Sequence, residues 1–413
     1  MRQSIIFILY LLCTFTARSQ SALTPEQTGS IYYAYPVPSS TYTPAPAGYE
    51  PFYISHYGRH GSRWMTADER YTEVICVFDS LYQCSELTPL GVDVRKRLHK
   101  VWEDARGCSG SITPLGERQH CEIAERMYHN FPQVFRGDAF IDARSSTSLR
   151  CAMSMSYFTE RLKELNPGLQ VNRRAYHRYM DYIAYTSPEG EKFASEKAPW
   201  RRSFREFEKK NVRPERLMAS LFVKPEAITD QDAMMRSLYW IAADMQNVEL
   251  DLSFYDIFEY EELVGVWKTV NARMYVCNAA APLNGGLMPR CAVPLLRNIL
   301  ESADAAIEKG TPAADLRFGH DTHLIRLLAL MQIEGCSNQE VDMEKFHLAW
   351  QDYRVSPMGA NLQLIFYRDK KNDILVKFLL NECEVTLPLK SKMVPYYSWK
   401  EVETFLAEII GKE

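Results

Sequence analysis

The sequence predicts an α/β protein with a mostly parallel central sheet and an inserted helical domain. Three observations carry this expectation. A short apolar run at 52–54 and short strand-like segments at 139–144 and 314–319 each lead into a polar turn, the pattern of strand–turn–helix junctions. Stretches with helical periodicity separate them, as parallel strands require, because their connections must cross over the sheet. Residues 166–290 differ from both: they are rich in aromatic and charged side chains and poor in strand-like runs.

The chain starts with Arg2, a mostly apolar run over 5–17, and small residues at Ser19, Ser21 and Ala22. This reads as an export signal over 1–20, which places the mature chain in the periplasm or outside the cell. A retained anchor and a lipidated Cys13 are the alternatives. Residues 23–51, with six prolines and two glycines, form an extended lead-in. The first strand and its Arg-His-Gly turn follow, then helical sequence over 66–107 broken at Pro89. The tetrapeptide Thr-Pro-Leu-Gly occurs at 88–91 and 113–116. Threonine as cap with proline in the first turn starts a helix at each copy.

The strand at 139–144 leads into cap residues Ser145 to Ser148 and a helix with Leu149, Ala152, Met153, Tyr157 and Leu162 on one side. Within 166–290, segments 214–221 and 230–248 are helical. Residues 294–308 form a helix and 314–319 a strand. Leu324, Leu327, Leu328 and Met331 then recur at i, i+3, i+4 and i+7. Strands at 361–367 and 374–380 make a hairpin about a turn at 369–373, and a helix over 398–410 closes the chain. The expected division is 21–165 and 291–413 as two parts of one α/β domain, with 166–290 inserted between them.

Composition bounds the partners. The chain has 413 residues, 46% hydrophobic and 24% charged, with a formal net charge of −4. No global basic surface invites nucleic acid or anionic membrane, so any attraction for an anion is local. No stretch after the signal reaches 18 apolar residues, so no membrane partner is expected. There are ten cysteines but no Cys-x-x-Cys, which argues against a zinc ribbon.

The chemistry-bearing residues sit at the three strand–turn–helix junctions. The first carries Arg59-His60-Gly61-Ser62-Arg63, the second Arg144, the third His320-Asp321. Guanidiniums match phosphate oxygens, and a histidine among cations is disfavoured as a cation itself, so it stays a neutral nucleophile. In an open α/β sheet, ligands bind beyond the carboxyl ends of the strands. If the three strands are neighbours, the turns converge into one anion site that performs phosphoryl transfer. His56/His60 and His320/His323 have spacings that bind zinc on a helix. Arginines beside them would repel a cation, so neither a metal nor another cofactor is expected.

With these motifs the chain resembles the histidine acid phosphatase branch of the histidine phosphatase superfamily, and within it the multiple inositol polyphosphate phosphatases and phytases. The carrying residues are 59–63, 112–119 (Ile-Thr-Pro-Leu-Gly-Glu-Arg-Gln), 143–147 (Ala-Arg-Ser-Ser-Thr) and His320-Asp321-Thr322. The resemblance implies a phosphoglycerate-mutase-like sandwich. It implies His60 as nucleophile through a phosphohistidine, Arg59, Arg63, Arg144 and His320 as phosphoryl-binding residues, and Asp321 as proton donor. The inositol polyphosphate phosphatases carry His-Ala-Glu where this chain has His320-Asp321-Thr322. The expected substrate is a small phosphomonoester, with inositol phosphates such as phytate first. A general acid phosphatase, a phosphoglycerate-mutase-like phosphotransferase and a non-catalytic anion-binding module are the alternatives. The basic run Arg173, Arg174, His177 and Arg178 suits either extra phosphates or a solvated face.

Overall fold

The structure, a computed structural model, describes residues 22–38 and 41–411. The expected export signal at 1–20 lies outside the described residues.

Eight strands form one sheet: β1 (Glu50–Arg59), β2 (Phe140–Ser145), β3 (Gln170–Arg174), β4 (Ala314–Gly319), β5 (Asn361–Arg368), β6 (Ile374–Leu380), β7 (Cys383–Val385) and β8 (Tyr396–Ser398). Their order is β3-β2-β4-β1-β5-β6-β7, with β8 also beside β6. β3, β2, β4 and β1 run parallel, whereas β5 to β8 join antiparallel. The sheet is therefore mixed rather than mostly parallel. The expected hairpin at 361–380 is the reason, because a short turn can join only antiparallel neighbours. β4 is buried at all six positions although Asp315 and Arg317 alternate with its apolar residues, because its neighbours cover both faces of the sheet.

β3 falls in the stretch expected to be helical. Its sequence, Gln-Val-Asn-Arg-Arg, is polar and half exposed. It is a strand because it pairs with β2 at the sheet edge, a tertiary contact that overrides weak local preference.

The helices follow their caps. Residues 66–107 form α1 (Glu69–Gln83) and α2 (Pro89–Ala105): the helical stretch is interrupted before Pro89, which opens the second helix. The second Thr-Pro-Leu-Gly starts α3 (Pro114–Asn130). Thr88 and Thr113 each accept a hydrogen bond from the glycine three residues on, Gly91 at 3.0 Å and Gly116 at 3.2 Å. α4 (Leu149–Leu165) has Ser148 at its cap position, but that side chain makes no capping bond. The glycines of both motifs are required by close packing. A Cβ on Gly91 would sit 2.1 Å from the carbonyl oxygen of Leu221, and one on Gly116 2.1 Å from that of Ser62.

Three apolar clusters hold the molecule together. One face of the sheet packs α3 and α4 through Ile123, Met127, Phe158 and Leu162. The other face packs the helices Val293–Lys309, Asp321–Leu330 and Trp399–Gly411 with Phe204 and Tyr275. A third cluster joins α1 and α2 to the helices Glu215–Leu221 and Gln231–Asp244. The helical stretch thus packs partly on the sheet and partly with α1 and α2.

Candidate active site

The junctions that carry the predicted chemistry end side by side. β2, β4 and β1 are adjacent, with Arg59 opposite Gly319 and Ser145 opposite Phe318. The His60 amide donates to the Gly319 carbonyl at 3.1 Å, and the Ser146 amide to Phe318 at 2.9 Å. This brings His60 and His320 edge to face, with ring centroids 5.8 Å apart. α4 and the helix Asp321–Leu330 both start here, and their N-termini favour negative charge.

His60 is buried, and its Nδ1 lies 3.0 Å from the Gly61 carbonyl oxygen. A carbonyl only accepts, so Nδ1 carries the proton and Nε2 keeps its lone pair. Burial, then the charges of Arg59, Arg63, Arg150 and His320, hold the imidazole well below its ordinary range. The ring is thus neutral and nucleophilic even in mild acid. Gly61 next to it has a packing role: a Cβ there would lie 2.6 Å from the Gly116 carbonyl oxygen. The His60 turn and the start of α3 are pressed together, and the Thr113 amide donates to Ser62 at 3.0 Å.

Arg59 is fully buried. Its Nη1 donates to the carbonyls of Ile31 at 2.6 Å and Ser356 at 2.7 Å, which fixes the guanidinium between two loops. Nη2 faces Asp321 at 3.4 Å. Arg63 donates to Tyr32 at 3.1 Å and to the carbonyl of Trp64 at 2.9 Å, and its guanidinium lies over the Tyr32 ring. Nε and Nη2 of Arg59, Nε of Arg63 and Nε of Arg150 are buried and make no hydrogen bond. Buried donors are normally satisfied, so this convergence of unused N–H groups is a cradle for anionic oxygens.

Arg144 does not join them. It forms ion pairs with Asp142 and Asp315 and lies over the Tyr179 ring. Two carboxylates hold its charge at the side of the sheet, and it is not among the groups acting on His60. Arg150, in the first turn of α4, takes the place expected of Arg144. The available signal was its position: a cation in the first turn of a helix is disfavoured by the helix dipole, which marks a local rule broken for a reason.

His320 completes the cluster. Ser146 Oγ is 3.2 Å from its Nε2, and the Cys151 sulfur lies 3.7 Å from Nε2 and 3.8 Å from Nδ1. Burial, then Arg150, lower its pKa to about 4. Asp321 is the first residue of its helix, not the cap, and its Oδ1 accepts from the Thr322 amide at 2.8 Å. Burial pushes its carboxyl up, but Arg59, that amide, His320 and Arg63 outweigh it, so the group sits below the usual carboxylate range. The arrangement combines a nucleophilic nitrogen, an anion cradle and a carboxyl at one point.

His56 lies in β1 and His60 in the turn after it, whereas His320 and His323 meet at the start of one helix with ring centroids 6.0 Å apart. His56 is buried between Phe158 and Phe318. Among the described residues no group of three His, Cys, Asp or Glu side chains is placed to hold a metal ion. No helix among them is long and apolar enough to cross a membrane.

The sequence model described as histidine phosphatase superfamily (branch 2) matches residues 58–381. No curated protein matches the sequence. Among solved structures, a multiple inositol polyphosphate phosphatase from Bifidobacterium longum, in complex with inositol hexasulfate, superposes with a TM-score of 0.79 at 18% identity, over 92% of this chain and 97% of that one. A phytase from D. castellii gives 0.71 at 14% identity, over 94% and 85% of the two chains. A Hafnia alvei phytase gives 0.55 at 12%, over 89% and 98%.

Proposed function

The chain belongs to branch 2 of the histidine phosphatase superfamily and is a phosphomonoester hydrolase, and on that premise we propose that it works through a phosphohistidine on His60 and acts on inositol phosphates. The observation that carries the mechanism is the free Nε2 of His60 among unpartnered guanidinium donors. Arg59, Arg63 and Arg150 take the phosphoryl oxygens, with His320 beside them. They offset the charge that spreads over those oxygens as the bond to the leaving group lengthens. His60 Nε2 attacks in line, the P–O bond breaks, and Asp321 gives its proton to the departing oxygen. Water then gives a proton to the Asp321 carboxylate and attacks the phosphohistidine, the P–N bond breaks, and inorganic phosphate leaves with neutral His60 and protonated Asp321 restored. Arg144 serves the site from behind, as a strut between β2 and β4.

The inositol phosphate assignment draws support from the fold shared with enzymes named for those substrates. Export is the reading of residues 1–20 in the sequence. Residues 166–290 are the part of the chain we assign to covering the pocket. A phosphate-release panel tests the proposal: phytate turnover well above that of glycerol and sugar monophosphates is expected, with acid-labile phosphate trapped on His60. Equal rates on all esters would leave a general acid phosphatase. Absence of labelled His60 during turnover would overturn the mechanism.

A further inference from the structure

Arg59 serves an anion only if its fork points into the cradle. The guanidinium carries its five N–H groups in one plane. The two on Nη1 are occupied by the carbonyls of Ile31 and Ser356. Nε and Nη2 are left for the anion. The two carbonyls therefore set the plane and the direction of the fork. They come from distant segments, the Gln27–Tyr32 turn and the residue after the helical turn Asp352–Val355.

One residue holds both. Asp352 is fully shielded from solvent. Its Oδ2 accepts from the hydroxyl of Ser30, the neighbour of Ile31. Its Oδ1 accepts from the Trp267 indole N–H at 3.0 Å and the Tyr353 amide at 2.8 Å. Its own amide donates to Asn271 Oδ1 at 2.8 Å, and its carbonyl accepts from the Ser356 amide at 2.8 Å. Trp267 and Asn271 stand four apart, on one face of the helix Tyr260–Asn278. That helix anchors Asp352, and Asp352 anchors the two segments that grip Arg59. Ser30 gives the reason for an anchor. Its backbone lies at φ 61° and ψ −135°, a conformation that residues other than glycine avoid. A serine keeps it only where tertiary contacts over-determine it, and the bond to Asp352 is such a contact. The torsions of Ser30 aim the chain that follows, and with it the Ile31 carbonyl.

We propose that Asp352 is a positioning residue of the active site: it acts through Arg59, fixing the two carbonyls that aim the guanidinium at the phosphoryl oxygens. The inference rests on Arg59 being an anion-binding residue, as in the function proposed above. Asparagine can serve as the same anchor. Its Oδ1 accepts from Trp267 and Tyr353 as before, and its Nδ2 donates to Ser30 Oγ, which accepts as well as donates. Alanine at 352 makes none of these side-chain bonds. At residue 30, glycine adopts the observed torsions without strain, whereas alanine keeps the strain and loses the bond.

The test is competitive inhibition by sulfate, measured with kcat/KM at one mildly acidic pH on the full-length enzyme. Asp352→Ala is expected to weaken sulfate by about tenfold, the scale of one lost hydrogen bond to a charged group. Its kcat/KM should fall by about 10²-fold, as for angstrom-scale misplacement. Asp352→Asn should recover most of both, and Ser30→Gly should lose less than Ser30→Ala. The loss must pass through Arg59. In an Arg59→Met background, Asp352→Ala should therefore leave sulfate binding unchanged, because residues coupled in this way are not additive. A merely structural role would lower the melting temperature and add the same loss in both backgrounds. Wild-type sulfate binding in a folded Asp352→Ala, an equal loss with and without Arg59, or an Asp352→Asn as weak as Asp352→Ala overturns the proposal. Should Asp352→Ala fail to fold, Ser30→Ala takes its place in the same cycle, and no loss or an equal loss there overturns it. Failure of the wild-type enzyme to bind sulfate, or of Arg59→Met to weaken it, would instead overturn the reading of the site.

Discussion

Asp321→Asn separates the proton donor from the rest of the machinery. Asparagine keeps the shape and loses the proton that the leaving oxygen needs. General acid catalysis contributes about 10²- to 10⁴-fold, or about 3–5 kcal/mol of barrier. An alkoxide requires that proton, whereas a nitrophenolate leaves without it. Hydrolysis of glycerol 2-phosphate should therefore fall by about 10²- to 10⁴-fold and that of p-nitrophenyl phosphate by less than about tenfold. The pH dependence follows from the charges around the carboxyl. Arg59 lies 3.4 Å from the carboxylate, and with the Thr322 amide and His320 it overrides the upward push of burial, so Asp321 is lowered. A group that loses its proton at low pH leaves a shrinking protonated fraction as pH rises, and kcat/KM reports that free state. Alkyl-ester kcat/KM should thus decline with rising pH across the acid range. The opposing limb from His60 is displaced to lower pH, because its imidazole is held well below its ordinary range. A bound phosphate dianion raises the Asp321 pKa, so kcat should hold to higher pH than kcat/KM. Steady-state kinetics on both esters across the acid to neutral range provide the measurement. Equal loss on both, or no loss on either, would refute Asp321 as the donor and make it a pocket-shaping residue.

His60→Ala should abolish phosphoenzyme formation and reduce turnover by about 10⁴-fold or more, as for other removed nucleophiles, with an unchanged circular dichroism spectrum. Near-normal activity in a folded variant would dismiss the phosphohistidine. Arg150→Met should lower kcat/KM by about 10²- to 10³-fold, the scale for removing one oxyanion donor. Arg144→Met should instead cost stability, because Asp315 loses its ion-pair partner and Asp142 is left with Arg174. About 1–3 kcal/mol is expected, read as a lower melting temperature at largely retained kcat. The reverse pattern would restore Arg144 as the phosphate ligand. Gly116→Ala places a methyl 2.1 Å from the Ser62 carbonyl oxygen, so the His60 turn must shift. Activity should fall by about 10²-fold, as for angstrom-scale misplacement, and a fully active variant would show that the turn tolerates movement.

Much of this was legible in the sequence because it is local. A threonine three residues before a glycine, with proline between, caps a helix wherever it stands, and both copies do so. The strand-like segments of β1 and β4 become buried parallel strands, and the hairpin forms at 361–380. The strand ends could be located, and with them Arg59, His60, Arg63, His320 and Asp321. The neighbourhood of each side chain was not local. Arg144 lies in β2 and Arg150 five residues past its end, and apart from the unfavourable place of Arg150 in a first helical turn the sequence does not rank them. Asp315, 171 positions later, pairs with Arg144, and only the β2–β4 register brings it there. Residues 170–174 become a strand because β2 has an open edge. Asn247 reaches Ser62 beside His60 from 185 positions away because the third apolar cluster packs the preceding helix on α1. Local propensity and periodicity determine which segments fold and which end of each carries polar residues. Pairing and packing between distant segments determine which charges meet, and at this site the charges that meet set the chemistry.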